Sequence, residues 1–143
     1  MPALTTQTEL ASALRLSLLR AARRLRSQRV NTAVTLSQLS ALATVGKYGP
    51  LSAGEIASVE RVQPPSMTKI LASLEAAGWV ERAAQPEDRR QSIISITESG
   101  RELLSEETRA RDEWLSQRLA DFSEADLKIL RAAVGVLDRL GTE

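Results

Sequence analysis

A short helix followed by a two-stranded ribbon, between residues 63 and 96, is the feature that most constrains this chain. The Pro-Pro pair at 64–65 predicts a helix start, because proline is tolerated in a first turn whose amides lack helical partners. Residues 79–83 and 92–96 are predicted strands, and the second is rich in β-branched side chains. The tip between them, 86–90, holds turn-forming proline and aspartate. A slim helix beside such a ribbon can enter two DNA grooves.

Two helices with similar start signals precede this unit. Thr35 with Gln38, and Ser52 with Glu55, have the spacing of a capping box, in which two side chains satisfy free amides reciprocally. The middle of the chain therefore has the order helix, helix, helix, strand, strand, which is the winged helix-turn-helix order. The predicted core positions of the three helices are Leu39, Leu42, Ala43, Ile56, Ala57, Val59, Met67, Ile70, Leu71 and Leu74.

Glycines are expected to end two of these helices. Gly46 and the Gly49-Pro50 pair follow the first helix pattern, and Gly78 follows the third. Glycine is the usual residue past a helix end, because it adopts the left-handed conformation without a steric penalty.

Amphipathic helices are predicted at both ends of the chain, at about 6–28, 97–120 and 124–140. The last of them has a cap signal at Ser123. The expected fold is mainly α with a small β-ribbon. We divide it into an N-terminal dimerisation helix at 1–34, a winged helix-turn-helix DNA-binding lobe at 35–96 and C-terminal dimerisation helices at 97–143.

The leucine-rich stripes of the terminal helices predict an interface with a second copy of the chain, since they exceed what the ends of a monomer could cover. Trp114 is a candidate anchor, because tryptophan is enriched at binding hot spots. The alternative is that these residues form ordinary intrachain core. The candidate interface residues are Leu10, Leu14, Leu18, Trp114, Leu115, Leu119, Leu127, Leu130, Val134 and Leu137.

Composition excludes several classes of function. Cysteine and histidine are absent, which removes disulfides, thiol chemistry and the commonest general base and metal ligand. We expect no metal, no cofactor and no enzymatic activity, since no nucleophile–base pair or phosphate loop is visible. No apolar run reaches the roughly 18 residues that span a bilayer. We therefore expect a cytoplasmic protein that does not enter the membrane.

The net charge of +1 favours no particular partner, but the charges are unevenly distributed. Residues 1–30 carry six Arg against one Glu, whereas residues 91–143 carry seven basic and eleven acidic side chains. Either the two ends attract one another, or the basic end lies near a polyanion. Residues 60–90 are neutral, so any contact with DNA there depends on the placement of individual side chains.

Small hydroxyl side chains and one lysine occupy the side of the third helix that faces away from the core. Such hydroxyls approach base edges closely, and lysine binds guanine acceptors or phosphate. At the ribbon tip an arginine can enter a minor groove, aimed by the neighbouring aspartate, while the alternative is a solvated loop. The candidate DNA-binding residues are Ser37, Gln63, Pro65, Ser66, Thr68, Lys69, Ser73, Asp88, Arg89 and Arg90.

In these motifs the chain resembles the MarR (multiple antibiotic resistance regulator) family of bacterial transcription factors. The resemblance lies in residues 35–39, 64–69, 74–82, 86–91 and 96–100, in that order and at that spacing. It implies a homodimeric regulator, of the repressor type, with interlocked terminal helices and two winged lobes on a pseudo-palindrome in double-stranded DNA.

The resemblance also bears on individual sites. It implies that Asp88 and Arg90 match the Asp-x-Arg motif of the family's wing, whereas Ala72 and Ser73 stand where members commonly carry Asp-Arg. It further implies release by a small phenolic or anionic effector. The few aromatic residues favour instead a regulator set by its own concentration. Outside this family, the competing function is a winged-helix module that contacts protein and not DNA.

Overall fold

A computed structural model describes residues 3–85, 87 and 91–142 of the chain. These residues form two compact units. One comprises residues 26–110, and the other combines residues 1–25 with residues 111–143. Each unit is described by itself below.

The described part of the chain contains six helices and three strands, which confirms the mainly α architecture with a small sheet. The elements are α1 (Gln7–Arg26), α2 (Leu36–Tyr48), β1 (Leu51–Ser52), α3 (Ala53–Glu60), α4 (Pro64–Ala76), β2 (Val80–Ala84), β3 (Ser92–Ile96), α5 (Glu98–Leu119) and α6 (Glu124–Gly141).

The local signals at helix ends agree with the structure. Both predicted capping boxes are formed, at Thr35 for α2 and at Ser52 for α3. The side chain of Ser123 accepts a hydrogen bond from the N–H of Asp126 at 3.1 Å and so caps α6. Gly78 follows the end of α4 with a φ of 80°, the left-handed value for which it was predicted.

The sheet has a third strand that the sequence did not predict. Its order is β1-β3-β2, and both pairs are antiparallel. Leu51 pairs with Ile94 and Val80 pairs with Ile96. Since β1 has only two residues, it exists through its pairing with β3 and has no periodicity of its own.

Three predicted positions in the helices are wrong. Gly46 lies inside α2, and Gly49 is the cap. A Cβ on Gly46 would come within 3.2 Å of Ile96 Cδ1, so this glycine permits a close approach within the helix. Ala43 is exposed, because α2 packs through its other side. Val59 is 52% exposed, because the short α3 turns only its opposite face to the core.

The core of unit 26–110 lies between the three helices of the lobe and the sheet. It includes the predicted Met67, Leu71 and Leu74 of α4, all at most 1% exposed. The buried apolar residues are Val34, Leu39, Ala41, Leu42, Val45, Ile56, Ala57, Met67, Leu71, Leu74, Val80, Ile94, Ile96 and Leu103.

The second unit has a different character, because its helices bury almost nothing within one chain. Among the residues described, α1 and α6 contain no buried residue. Trp114 is half-buried, and its ring lies 5.7 Å from the guanidinium of Arg24 and 5.2 Å from that of Arg118. The exposed large apolar residues of α1 and α6 are Leu10, Leu16, Leu18, Leu19, Ile129, Leu130, Val134, Val136, Leu137 and Leu140.

Membrane-spanning helices and metal-binding clusters are both absent from the described ranges. None of their helices has both the length and the apolar character that crossing a bilayer requires. The same ranges contain no group of acidic side chains that could hold a metal ion.

Candidate nucleic-acid interface

The rotation of α4 about its axis is set by its buried side, and this decides which residues face solvent. Met67, Leu71 and Leu74 point into the core, and Ile70 is partly buried against it. Helical spacing then places the opposite residues outward. The six candidates predicted from sequence at the N-cap of α4 and along the helix are all exposed: Gln63, Pro65, Ser66, Thr68, Lys69 and Ser73.

Two of these hydroxyl groups are already engaged as donors. Thr68 Oγ1 donates to the carbonyl oxygen of Pro64 at 2.9 Å, and Ser73 Oγ donates to that of Lys69 at 3.1 Å. In this state their oxygens keep lone pairs, so toward DNA they accept hydrogen bonds, for example from the amino groups of adenine or cytosine. Thr68 also offers a methyl group, which suits the methyl of thymine.

The N-terminal end of α4 has few backbone donors. Gln63 is the N-cap and makes no side-chain capping bond, so its amide group is free to act elsewhere. Pro64 and Pro65 occupy the next two positions and have no N–H. Of the first three helical residues, only Ser66 keeps an amide that could bind a phosphate.

The base of the ribbon is tied to the end of α4. Arg82 Nε lies 3.1 Å from Glu75 Oε2, in a partly exposed ion pair that joins β2 to the helix. Thr97 Oγ1 donates to the carbonyl oxygen of Gly78 at 2.6 Å and accepts from the N–H of Gly100 at 3.1 Å. Helix, ribbon and the start of α5 therefore hold one another in a defined orientation.

The ribbon itself is paired as far as Ala84 and Ser92, and Gln85 N–H donates to the carbonyl of Gln91 at 3.1 Å. The three predicted contact residues of the tip, Asp88, Arg89 and Arg90, lie outside the described residues. Their role stays a prediction from the sequence.

Hydrogen bonds to one carboxylate link α2 and α3, the two helices before α4. Glu60, at the end of α3, accepts hydrogen bonds from Ser40 Oγ at 3.0 Å and from Thr44 Oγ1 at 3.2 Å, both on α2. Ser37, the predicted phosphate contact, is exposed in the first turn of α2. A phosphate there would meet the free amides of a helix N-terminus.

Sequence reasoning missed Glu60 and its neighbour Arg61. Arg61 is the C-cap of α3, with φ 54° and ψ 44°. The available signal was the tight spacing of two predicted helices, at 53–60 and from 64 onward, because so short a turn needs one residue in the left-handed region. Nothing in the pattern showed that arginine would occupy it.

Comparison with known proteins supports the winged helix-turn-helix interpretation. The family model of the MarR family matches residues 34–92, which contain α2 to β2 and the first residue of β3. An HTH-type transcriptional regulator of Mycobacterium bovis is 45% identical over 134 residues, which cover 94% of each chain. The chain belongs to the MarR family. A non-enzymatic role is thus the rule among its relatives.

Solved structures extend the likeness to the whole MarR fold. A putative transcriptional regulator from Pseudomonas aeruginosa is 29% identical and superposes with a TM-score of 0.82, covering 94% of both chains. A MarR family protein from Bacillus stearothermophilus shares the fold, with a TM-score of 0.78 over 95% of both chains at 23% identity. The winged helix-turn-helix lobe with helices at both chain ends is therefore confirmed as the fold.

Proposed function

We propose that this DNA-binding regulator of the MarR family acts as a homodimer that represses transcription from a pseudo-palindromic operator. The observation that carries the proposal is the polar outer face of α4, held by a buried apolar face in a helix-turn-helix lobe. Repression is supported by a relative, the HTH-type transcriptional repressor MdtR of Bacillus subtilis, which is 30% identical over 94 residues covering 66% of this chain and 61% of that protein.

Dimerisation is supported by the apolar surface of the second unit. Leu130, Val134 and Leu137 share one face of α6 and are 39%, 59% and 36% exposed within one chain. A soluble monomer rarely leaves such a contiguous stripe in water, whereas a twofold interface would bury it twice. The arginine-rich residues 1–30 and the acidic residues 91–143 would also attract one another across the interface.

Sequence recognition is assigned to the outer face of α4. Ser66, Thr68 and Ser73 would contact base edges in the major groove, with Lys69 on a guanine or a phosphate and Gln63 and Pro65 at the groove's edge. Ser37 would hold a second phosphate at the start of α2.

The wing is assigned to the minor groove. Arg90 would enter it, oriented by Asp88, and Arg89 would bind the adjacent phosphate. Replacing Arg90 by alanine is expected to weaken binding, most strongly on sites with A·T-rich flanks. If the variant binds such sites as tightly as the wild type, the assignment of the wing is wrong.

Control of the repressor is the second part of the proposal. A small phenolic or anionic effector would release the operator, as the family resemblance implies. The chain has only two Trp, one Tyr and one Phe with which to stack on a phenolic ring. Regulation by the concentration of the protein itself is therefore the competing mechanism. Titration of the operator complex with a set of phenolic and anionic compounds distinguishes the two, because release by any of them supports an effector.

The decisive experiment is selection of binding sites from random double-stranded DNA by the purified protein. Two lobes on a twofold axis should select half-sites about 10 base pairs, or about 34–36 Å, apart. The affinity should fall steeply between low and high salt, because each phosphate contact releases counterions. Failure to enrich any sequence, with salt-independent behaviour, would favour a module that contacts protein instead.

A further inference from the structure

Arg61 adopts an unusual backbone conformation for an arginine. It terminates α3 with φ 54° and ψ 44°, and it is the only non-glycine residue with positive φ within the described ranges. Its N–H donates to the carbonyls of Ala57 and Ser58, and the N–H of Val62 donates to that of Ala57 at 3.0 Å. This is the turn at which glycine is usual, because a Cβ is unfavourable in the left-handed region. An arginine here therefore lowers stability compared with glycine.

The arginine side chain gains no compensating contact inside the lobe. It is exposed, and the described residues provide it with no hydrogen bond and no ion pair. Within the described residues the neighbouring Glu60 forms no ion pair with it, and both carboxylate oxygens of Glu60 accept hydrogen bonds from Ser40 and Thr44 on α2. No described contact of the fold therefore uses the Arg61 guanidinium, which stays open to an outside partner.

Arg61 lies just before the N-terminal end of α4, where two of the backbone N–H groups that could bind phosphate are missing. In a helix-turn-helix, the N-terminal residues of the second helix contact base edges while the first helix crosses the DNA backbone. Arg61 is the C-cap of that first helix, α3. The free amides of a helix N-terminus normally bind phosphate there, but Pro64 and Pro65 remove two of them. A guanidinium three residues before Pro64 can supply the missing donors, with a planar fork that matches phosphate oxygens.

We propose that Arg61 binds a backbone phosphate at the edge of the major groove entered by α4, in place of the amides that Pro64 and Pro65 lack. The proposal rests on the DNA-binding function and adds to it a contact in the turn between the two helices. It explains why a residue that is unfavourable for the fold occupies the turn.

The test compares stability and DNA binding in the same variants. Arg61→Gly and Arg61→Asn both suit the left-handed conformation and remove the charge, and Arg61→Lys keeps the charge without the fork. The probe is a fluorescein-labelled duplex that the wild-type protein has selected from random DNA, titrated by fluorescence anisotropy at four salt concentrations. Arg101→Ala, an exposed arginine on α5, is the matched control.

We expect Arg61→Gly to melt at or above the temperature of the wild type while its affinity falls at least about tenfold at low salt. The slope of log K against log[salt] should become shallower by about 0.9 for each phosphate that the variant no longer binds. Arg61→Lys should retain the slope and lose part of the affinity, and Arg101→Ala should change neither quantity.

Two outcomes overturn the proposal in different ways. If the wild type binds its duplex and Arg61→Gly and Arg61→Asn bind it equally tightly with the same salt slope, Arg61 serves only as a helix cap. If the wild type selects and binds no DNA, the DNA-binding function fails and the role of Arg61 fails with it.

Discussion

Glu107 Oε1 accepts a hydrogen bond from the backbone N–H of Asn31 at 2.9 Å, although 76 residues separate the two in the chain. Both carboxylate oxygens also accept a hydrogen bond from the N–H of Val30, at 3.2 and 3.3 Å. The Glu107 side chain is 1% exposed. The carboxylate of α5 thus satisfies two amides of the connection between α1 and α2 and anchors that connection to the lobe.

Removing this carboxylate should destabilise unit 26–110. Glu107→Ala would leave two amides without an acceptor and open a cavity, and we expect a loss of about 3 kcal/mol in the free energy of unfolding. Glu107→Gln keeps one acceptor oxygen and should lose less. The measurement is urea denaturation followed by circular dichroism. Glu106→Ala, an exposed neighbour, is the control and should change stability by less than about 0.5 kcal/mol.

Gly100 is predicted to tolerate no side chain. A Cβ there would collide with the carbonyl oxygen of Trp79 and lie 2.9 Å from Ile96 Cγ1. We expect Gly100→Ala to lower the free energy of unfolding by about 2–3 kcal/mol despite the better helix propensity of alanine. Gly54→Ala on α3, where a Cβ would come no closer than 4.0 Å to Ser52 Oγ, should be neutral or stabilising. Equal melting temperatures for the two variants would contradict this packing.

The pKa of Glu9 should lie below its ordinary value of 4.5, chiefly because the carboxylate accepts the backbone N–H of Thr6, and further because it accepts the hydroxyl and N–H of Thr5. A lowered folded-state pKa gives a stabilisation that is present above about pH 4.5 and is lost as the pH falls through the folded value. Carboxyl NMR titration measures the pKa directly. Thr5→Val should raise it part of the way, and the control Thr8→Val should leave it unchanged.

Charging the apolar face of α6 should dissociate the proposed dimer. Val134→Asp places a carboxylate in the centre of that face, and an unpaired buried charge strongly opposes association. Analytical ultracentrifugation at micromolar concentration is expected to show a dimer for the wild type and a monomer for the variant. Val59→Asp on α3 makes the same change at a similarly exposed valine, 52% against 59%, and should remain dimeric. A dimeric Val134→Asp protein would place the interface elsewhere.

Lys69→Ala is expected to weaken DNA binding about tenfold without changing the melting temperature, because the side chain is exposed on α4 and supports no described contact. If Lys69 contacts phosphate, the loss should be similar for all sequences and the salt slope should fall by about 0.9. If it contacts a guanine, one position of the selected site should lose its preference. Lys47→Ala, also exposed in the same unit, is the control that should bind as the wild type does.

Much of the lobe could be predicted because its signals are local. Each of these signals affects only residues a few positions away in the chain. They are the capping boxes at Thr35 and Ser52, the proline start of α4 and the β-branched residues of β3. The inward and outward faces of α4 followed from helical spacing in the same way. The polar outer face, on which the proposed DNA contacts depend, could therefore be predicted from the amino-acid sequence.

The remaining features depend on partners far away in the chain. The strand at Leu51 exists because Ile94 pairs with it, and Val59 stays exposed because no described element covers that side of α3. Gly46 and Gly49 look alike in sequence, but one adjoins Ile96 inside a helix and the other ends it.

The sequence by itself determined where the helices of the lobe begin, which side of α4 is apolar and which residues that side leaves in water, because these properties arise between neighbours along the chain. Only the tertiary structure decided that Glu107 is buried against Val30 and Asn31, that Glu60 faces α2, and that Arg61 forms no ion pair within the described residues. Burial and pairing are set by whichever residues the fold brings together, and no spacing along the chain specifies them.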